Sequence, residues 1–411
     1  MQNEFKTVEN GGVASAAGFV AGGTFAGIKR PGRDKRDLGL LFSETPCAVA
    51  GAFSQNSIVS PSVTLSRDIT RQGHAVRGAV VESGSANCAV GEQGLIDARD
   101  AVALAAKRLN VEPQEILIGT TGLIGVELPM KLIAEHIPNI ELSRDGGTDF
   151  ARAMMTTDTC VKQCAVQFET SSGELITIGG AAKGSGMIHP NMATMLAFAT
   201  TDAAVDRAFL QAELSEIVNL TFNQIDVDGD LSPNDTTLVF ANGAAKNAEL
   251  NAKNAQTEDA RSFRKGLFQV CKNLAMAIAR DAEGGKNRLI EVHIIGAKSD
   301  LEARQAARSV ASSLLVKTAV YGHDPNWGRI MMAVGKAQVG LDESKLSIFI
   351  NGIKIVEDGR SLPFNVQSVV GSLAEATVSL KIDLAVGAGE GFAWGGELTE
   401  EYIIFNSAYT T

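Results

Sequence analysis

Short runs of β-branched and apolar residues, each closed by Gly, Asn, Asp or Ser, recur along this 411-residue chain and limit what it can fold into. They are PCAVAGAF (46–53), VRGAVVES (76–83), EILIGTTG (115–122), CAVQFET (164–170), ELITIGG (174–180), TMLAFATT (194–201) and TTLVFANG (236–243). RLIEVHIIGA (288–297), LSIFINGIKI (346–355), ATVSLKIDLAVG (376–387) and EYIIFNSAY (401–409) follow. Amphipathic stretches of helical period lie between them: 96–109, with Ile96, Val102, Leu104 and Leu109 among alanines, then 204–220, 257–281 and 301–318. Strands that cluster and then alternate with helices predict an α/β (α+β) class with several antiparallel pairs, rather than a simple βαβ repeat. The 42 glycines add many tight turns and close backbone contacts. The softest boundary is RDAEGGKN (280–287), a glycine-bearing turn, which divides the expectation into a main domain 1–283 and a smaller C-terminal α/β domain 284–411.

A net charge of −10 argues against a nucleic-acid or anionic-membrane surface, both of which need a basic footprint. Five scattered cysteines fit reduced thiols in a cytoplasmic protein, with Cys160 and Cys164 expected to be buried or partly buried. The opening MQNEFKTVENGGVASAAGF has no basic region leading into an apolar stretch, so no secretory signal is expected. No run approaches 18 apolar residues, so no membrane-spanning helix is expected.

Several motifs fail on inspection. Cys160 and Cys164 lack histidine neighbours and make no zinc site, and the five histidines show no ligand spacing. DVDGDLSPND (226–235) has its glycine fourth rather than sixth and no terminal glutamate, so it reads as an acidic turn and not a calcium loop. GTTGLIG (119–125) and GAGEG (387–391) match neither the dinucleotide nor the phosphate-loop pattern. A dehydrogenase or kinase is disfavoured, and neither a metal nor a bound cofactor is expected.

AAKGSGMIHPNMATMLAFATTD (181–202) is different. Thr194 stands at the mouth of an apolar run, behind a glycine-bearing loop and a small residue, Ala193. A threonine hydroxyl needs a base to become a nucleophile, and its own α-amine serves once the preceding peptide bond is cut. That amine has a reference pKa of roughly 7.7–8.0, close to working pH. Spacing alone leaves a second reading open, a strand-initial threonine in a well-packed turn.

KGSGMIHPNMATMLAF resembles the self-cleavage segment of the ornithine acetyltransferase (glutamate N-acetyltransferase) family. GGVASAAGFVAGGTFAGIK, SGSANCAVGEQGLIDA, TTGLIG, VDGDLSPNDT, YGHDPNWGRI and the terminal NSAYTT resemble the family's other segments in the same order, so the likeness covers nearly the whole chain. The resemblance implies a layered αββα sandwich around the nucleophile, with a C-terminal tail that returns to the active site. It also implies cleavage between Ala193 and Thr194 into chains 1–193 and 194–411.

By the same resemblance, Thr194 carries the acetyl group in a double displacement from Nα-acetylornithine to L-glutamate. Thr121 and Gly122 would form the oxyanion hole. Substrate contacts would come from Thr157, Lys183, Thr194, Glu283, Asn406 and Thr411, with Lys183 near the carboxylate or acyl region and Glu283 on the ornithine ammonium. His189 and Pro190 would shape the loop before the cut. Some family members use acetyl-CoA as a co-substrate for glutamate. The expected partners are amino-acid substrates and the two processed chains, paired as a heterotetramer of two alpha and two beta chains. Two other readings stay open: a related N-terminal-threonine amidase or aminopeptidase, and a non-catalytic amino-acid-binding protein on the same fold.

Overall fold

The computed structural model describes residues 5–29, 35–189, 195–283 and 288–408. The larger part of the fold turns on one long strand, Leu38–Phe53. Its first half pairs antiparallel with Phe19–Thr24 and with Val76–Ser85, which runs parallel to Ile116–Leu123. Its second half pairs antiparallel with Thr236–Ala241. The ladder continues from there through Leu196–Thr201 in parallel, then antiparallel through Leu175–Lys183, Lys162–Glu169 and Lys6–Thr7. A register shift between Phe42 and Cys47 marks where the long strand passes from one half-sheet to the other.

Burial shows that the two half-sheets face each other. Leu41, Ala79, Val81 and Leu117 of one half share a core with Ala181, Leu196, Phe198, Leu238 and Phe240 of the other. Phe198 meets Phe150 edge to face, with centroids 5.3 Å apart. The alternation of a strand sends neighbouring residues the opposite way. Ala197 and Ala199 therefore join Ile176, Ile178 and Val239 under the helices Arg207–Leu220 and Glu258–Arg280. On the far side, Leu40, Val80, Ile116 and Ile118 pack on Gln93–Leu109 through Ala98, Ala101, Val102 and Ala105. The layers run helix, sheet, sheet, helix, as expected.

A second sheet follows the order Arg360–Ser361, Ile353–Glu357, Ser347–Ile350, Thr377–Asp383, Leu289–Ala297, Gly389–Gly396, Ile225–Asp226. Its core is covered by Asp300–Ala311 through Ala303, Ala306, Ala307 and Val310. The short strand Ile225–Asp226 belongs to the chain of the sandwich yet pairs with Gly389–Gly396, so it ties the two layers of structure together. Lys317 fixes that tie: its fully buried ammonium donates to the Asp226 and Val227 carbonyls at 3.0 and 2.9 Å.

Some local expectations are corrected. EYIIFNSA (401–408), within the expected strand 401–409, is not a strand but part of the helix Glu400–Ala408. Two glutamates in the first turn favour a helix N-terminus, and Thr399 Oγ1 accepts the Tyr402 N–H there. LSIFINGIKI is a hairpin rather than one strand, because Asn351 and Gly352 adopt φ of 46° and 79°. The stretch 301–318 breaks where Ser313 caps a new helix, Leu314–Tyr321. Cys160 is exposed, not buried.

Phe198→Ala removes a ring from the centre of the sheet–sheet core. It should lower stability by about 3–5 kcal/mol in a denaturant titration, without changing the far-ultraviolet signature of the folded state.

Candidate active site

A cavity of about 220 Å³ opens at one end of the sandwich, and six residues singled out from the sequence line it: Thr121, Gly122, Thr157, Lys183, Glu283 and Asn406. Three further expected positions, Ala193, Thr194 and Thr411, lie outside the described residues, as does Pro190.

Thr121 and Gly122 close the strand Ile116–Leu123, in register with Ser83 and Gly84 of the parallel neighbour. Gly122 has φ of 135°, and a Cβ there would sit 2.4 Å from the Gly84 carbonyl carbon. Only glycine fits, so the turn has both a conformational and a steric reason. Asn234 pins the same corner by donating from Nδ2 to the carbonyls of Ala86 and Thr120 at 2.6 and 2.8 Å.

Lys183 ends the strand Leu175–Lys183 and stands opposite Leu196. It is buried rather than solvated, and its Nζ donates to Thr121 Oγ1 at 3.4 Å. Burial holds its pKa below the usual lysine value, with Asp158 offering the largest opposing charge. Because the hydroxyl accepts from Lys183, its own hydrogen is free to point elsewhere into the cavity.

Glu283 is buried and not a helix-end surface residue. Its carboxylate accepts from Asn406 Nδ2 at 2.6 Å, which brings the last helix onto the cavity. A Cβ on Gly186 would lie 2.2 Å from the Glu283 carboxyl carbon, so that glycine is what lets the acid lie against backbone. From the same helix, Tyr402 donates its hydroxyl to Asp228 Oδ2 at 3.1 Å. Asp228 also accepts the N–H groups of Met187 and Ile188, which makes the acidic turn a clamp on the loop before the expected cut. His189 continues that clamp, with Nδ1 2.8 Å from Asp226 Oδ2.

Three features escaped sequence reasoning. The first is an ionic cluster beneath the cavity. Lys162 Nζ lies 2.6 Å from Asp158 Oδ1 and 2.5 Å from Asp281 Oδ2, and all three side chains are almost wholly buried. Asp158 also accepts the Gly184 N–H at 2.7 Å, and Ser185 Oγ donates to the Asp281 carbonyl at 2.6 Å. Burial alone would raise the Asp158 pKa, but the Lys162 and Lys183 ammoniums more than offset it and hold it below the usual carboxylate range. The cluster thus ties together the neighbours of Thr157, Lys183 and Glu283.

The second is Asp235, fully buried, whose Oδ1 accepts the N–H of Met195 at 3.0 Å. Its Oδ2 has no hydrogen-bond partner among the described residues, and burial pushes its pKa well above the usual range. It sits in the segment VDGDLSPNDT, where the only sequence signal was the crowding of acids in one turn. The third is Lys29, which also lines the cavity.

Taken chemically, the cavity offers a hydroxyl donor beside a glycine turn, the ammoniums of Lys183 and Lys29, and the carboxylates of Glu283, Asp228 and Asp230, a set suited to holding a zwitterionic amino acid at a polarised acyl group.

The model of the ArgJ family matches residues 20–411. The arginine biosynthesis bifunctional protein ArgJ of Symbiobacterium thermophilum is 44% identical over 403 residues, 98% of this chain and 99% of that protein. The protein of the same name from Oceanobacillus iheyensis is 42% identical over 408 residues, 99% of this chain and 98% of that protein. A crystal structure of arginine biosynthesis bifunctional protein argJ from Bacillus halodurans aligns at 40% identity and a TM-score of 0.49, over 51% of this chain and 97% of that one.

Lys162→Met leaves two buried carboxylates facing each other without their shared cation. The variant should lose about 3–5 kcal/mol of stability. Most of that loss should be recovered on adding Asp158→Asn and Asp281→Asn, measured by thermal unfolding of the single and triple variants.

Proposed function

The chain belongs to the ArgJ family, and on that premise we propose that it transfers the acetyl group of Nα-acetylornithine to L-glutamate through an acetyl-Thr194 intermediate. One observation carries the reading. Thr121, Gly122, Thr157, Lys183, Glu283 and Asn406 come from five separate stretches of the chain and line one cavity. They supply the complement of an acylated, zwitterionic diamino acid. The relatives' shared name, arginine biosynthesis bifunctional protein, supports the same class of substrate.

In this mechanism Thr194 first acts on its own chain. Its hydroxyl attacks the Ala193 carbonyl, the acyl group moves from nitrogen to oxygen, and water cleaves the ester to free the α-amine. That amine then serves as base. Thr194 Oγ attacks the acetyl carbonyl of the donor, the amide C–N bond breaks, and the proton taken by the amine passes to the departing ornithine. In the second half, the glutamate amine attacks the acetyl ester and Thr194 recovers its proton. Each step passes through a tetrahedral oxyanion. The Thr121 hydroxyl, made a better donor by the Lys183 ammonium behind it, and the Gly122 N–H would stabilise that charge.

Lys183 and Glu283 answer the carboxylate and side-chain ammonium of the donor, and Thr411 completes the contacts at the chain's end. No bound cofactor takes part, and acetyl-CoA enters as a second donor to the same threonine.

The two processed chains should remain together, because the sheet interleaves them. Leu196–Thr201 and Thr236–Ala241, from one side of the cut, pair with Leu175–Lys183 and Leu38–Phe53 from the other. Two such pairs assembling as a heterotetramer complete the reading.

The test is a denaturing intact-mass spectrum of the purified protein beside an acetyl-transfer assay. The wild type should give two fragments meeting at Ala193 and Thr194, and N-acetylglutamate should form. Thr194→Ala should give one uncut chain and no transfer. An uncut, active wild type would overturn the mechanism. Release of acetate in place of N-acetylglutamate would favour the amidase reading.

A further inference from the structure

Five charged side chains line the cavity, Lys29, Lys183, Asp228, Asp230 and Glu283. Asp228 is taken up by the Met187 and Ile188 N–H groups and the Tyr402 hydroxyl, while among the described residues the two cations have no ion-pair partner. Among those residues Lys183 donates to the Thr121 hydroxyl, and Lys29 donates from Nζ to the Arg36 carbonyl at 2.8 Å. Among the described residues neither ammonium has a carboxylate within 4.0 Å. The acids nearest Lys29 are otherwise engaged. Asp37 accepts the N–H groups of Ala26 and Ile28, both at 2.7 Å, and Glu82 accepts the Ser85 N–H at 3.0 Å. Burial pushes the Glu82 carboxyl well above its usual range, and its charge acts on Lys29 without forming an ion pair among the described residues. Lys29 is thus a poorly compensated ammonium in the wall of a small cavity, a situation that favours an incoming anion.

The charge count has a consequence that rests on the acetyl-transfer reading. A double displacement through one threonine uses one cavity for two amino acids in turn. The donor brings an α-carboxylate and a side-chain ammonium, which match Lys183 and Glu283. The acceptor brings two carboxylates, and its side chain would be repelled by Glu283. We propose that Lys29 is the specificity-determining residue for the acceptor, holding the side-chain carboxylate of glutamate while Lys183 holds the α-carboxylate. One cavity then reads two substrates with three of its five charged side chains: Lys183 with Glu283 for the donor, and Lys183 with Lys29 for the acceptor.

The placement of Lys29 agrees with this division. It belongs to the side of the cavity formed by the strand Val76–Ser85, since Ile28 packs against Gly84, where an added Cβ would meet Ile28 Cγ2 at 2.3 Å. Glu283 lies against Gly186 and Asn406 instead. Lys183 lines the same cavity as both and is in electrostatic reach of each.

The experiment measures the two half-reactions separately on the processed enzyme. Ornithine release from Nα-acetylornithine reports the donor half, and kcat/KM for L-glutamate against L-glutamine reports the acceptor half. Lys29→Met should lower the glutamate-to-glutamine ratio by about 30- to 100-fold, the worth of a charged hydrogen bond, and leave the ornithine burst within about twofold. Lys29→Arg should keep most of the preference. Glu283→Gln should instead slow the donor half.

A second measurement needs no variant. Burial lowers the Lys29 pKa to about 8, against the raising influence of Asp37, Glu82 and Asp158 and with Lys183 adding to the depression. The cation is lost as pH rises through that value, so the wild-type glutamate-to-glutamine ratio should fall there. Groups shared by the two acceptors cancel in the ratio. An unchanged ratio in Lys29→Met, or equal losses in both half-reactions, would overturn the proposal while leaving acetyl transfer standing. A wild type that makes neither ornithine nor N-acetylglutamate would overturn the transfer reading, and the assignment of Lys29 with it.

Discussion

A single buried cation holds the site together. Lys162 Nζ lies between Asp158 and Asp281, within 2.6 Å of each, with no water-exposed surface on the lysine side chain. Desolvating three charges is costly, and such a cluster rarely adds net stability over an apolar core of the same shape. What it provides here is geometry. Asp158 follows Thr157 in the chain and accepts the N–H of Gly184, which follows Lys183. Asp281 precedes Glu283 by two residues, and its backbone carbonyl takes the Ser185 hydroxyl. Three segments far apart in sequence are therefore locked in one place, and each presents a polar side chain to the same cavity.

Around that anchor the sandwich supplies rigidity where acyl transfer needs it. The wall that carries Thr121 and Gly122 is a strand end pinned by Asn234, with Gly122 and Gly84 in contact through their backbones. The wall that carries Lys183 is the neighbour of Leu196–Thr201, and Met195 at its mouth is held by Asp235. Donors set in advance of the charge they meet need no reorganisation during reaction, which is the main source of rate in acyl transfer. The last helix closes the cavity with polar groups: Asn406 on Glu283 and Tyr402 on Asp228. These contacts explain how a segment at the chain's end belongs to a site built largely from the sandwich.

Much of this was legible in the order of residues, for physical reasons. Strands buried on one or both faces leave short β-branched runs, and those runs marked most of the sheet positions. EYIIFNSAY misled because its apolar residues look strand-like, while the acids of its first turn and its cap favour a helix. The six cavity residues were legible by resemblance to a known family, because their motifs recur in order; composition and spacing alone left Lys183 and Glu283 indistinguishable from surface charges. Lys162 and Asp281 were not legible at all. Nothing local distinguishes a lysine that will neutralise an acid 119 residues away from one on a solvated strand. Lys29 was missed for the same reason: its lack of a counter-ion exists only once the strand beside it is in place.

The central claim is that Thr194 carries the acetyl group between two substrates. The most direct measurement mixes processed enzyme with Nα-acetylornithine and no acceptor, quenches in acid, and weighs the peptide that begins at Thr194. The account predicts one hydroxylamine-labile acetyl group on that peptide, equal in amount to the ornithine released and discharged to N-acetylglutamate when glutamate is added. N-acetylglutamate forming at full rate while that peptide stays unmodified, or with the acetyl group on another residue, would contradict it.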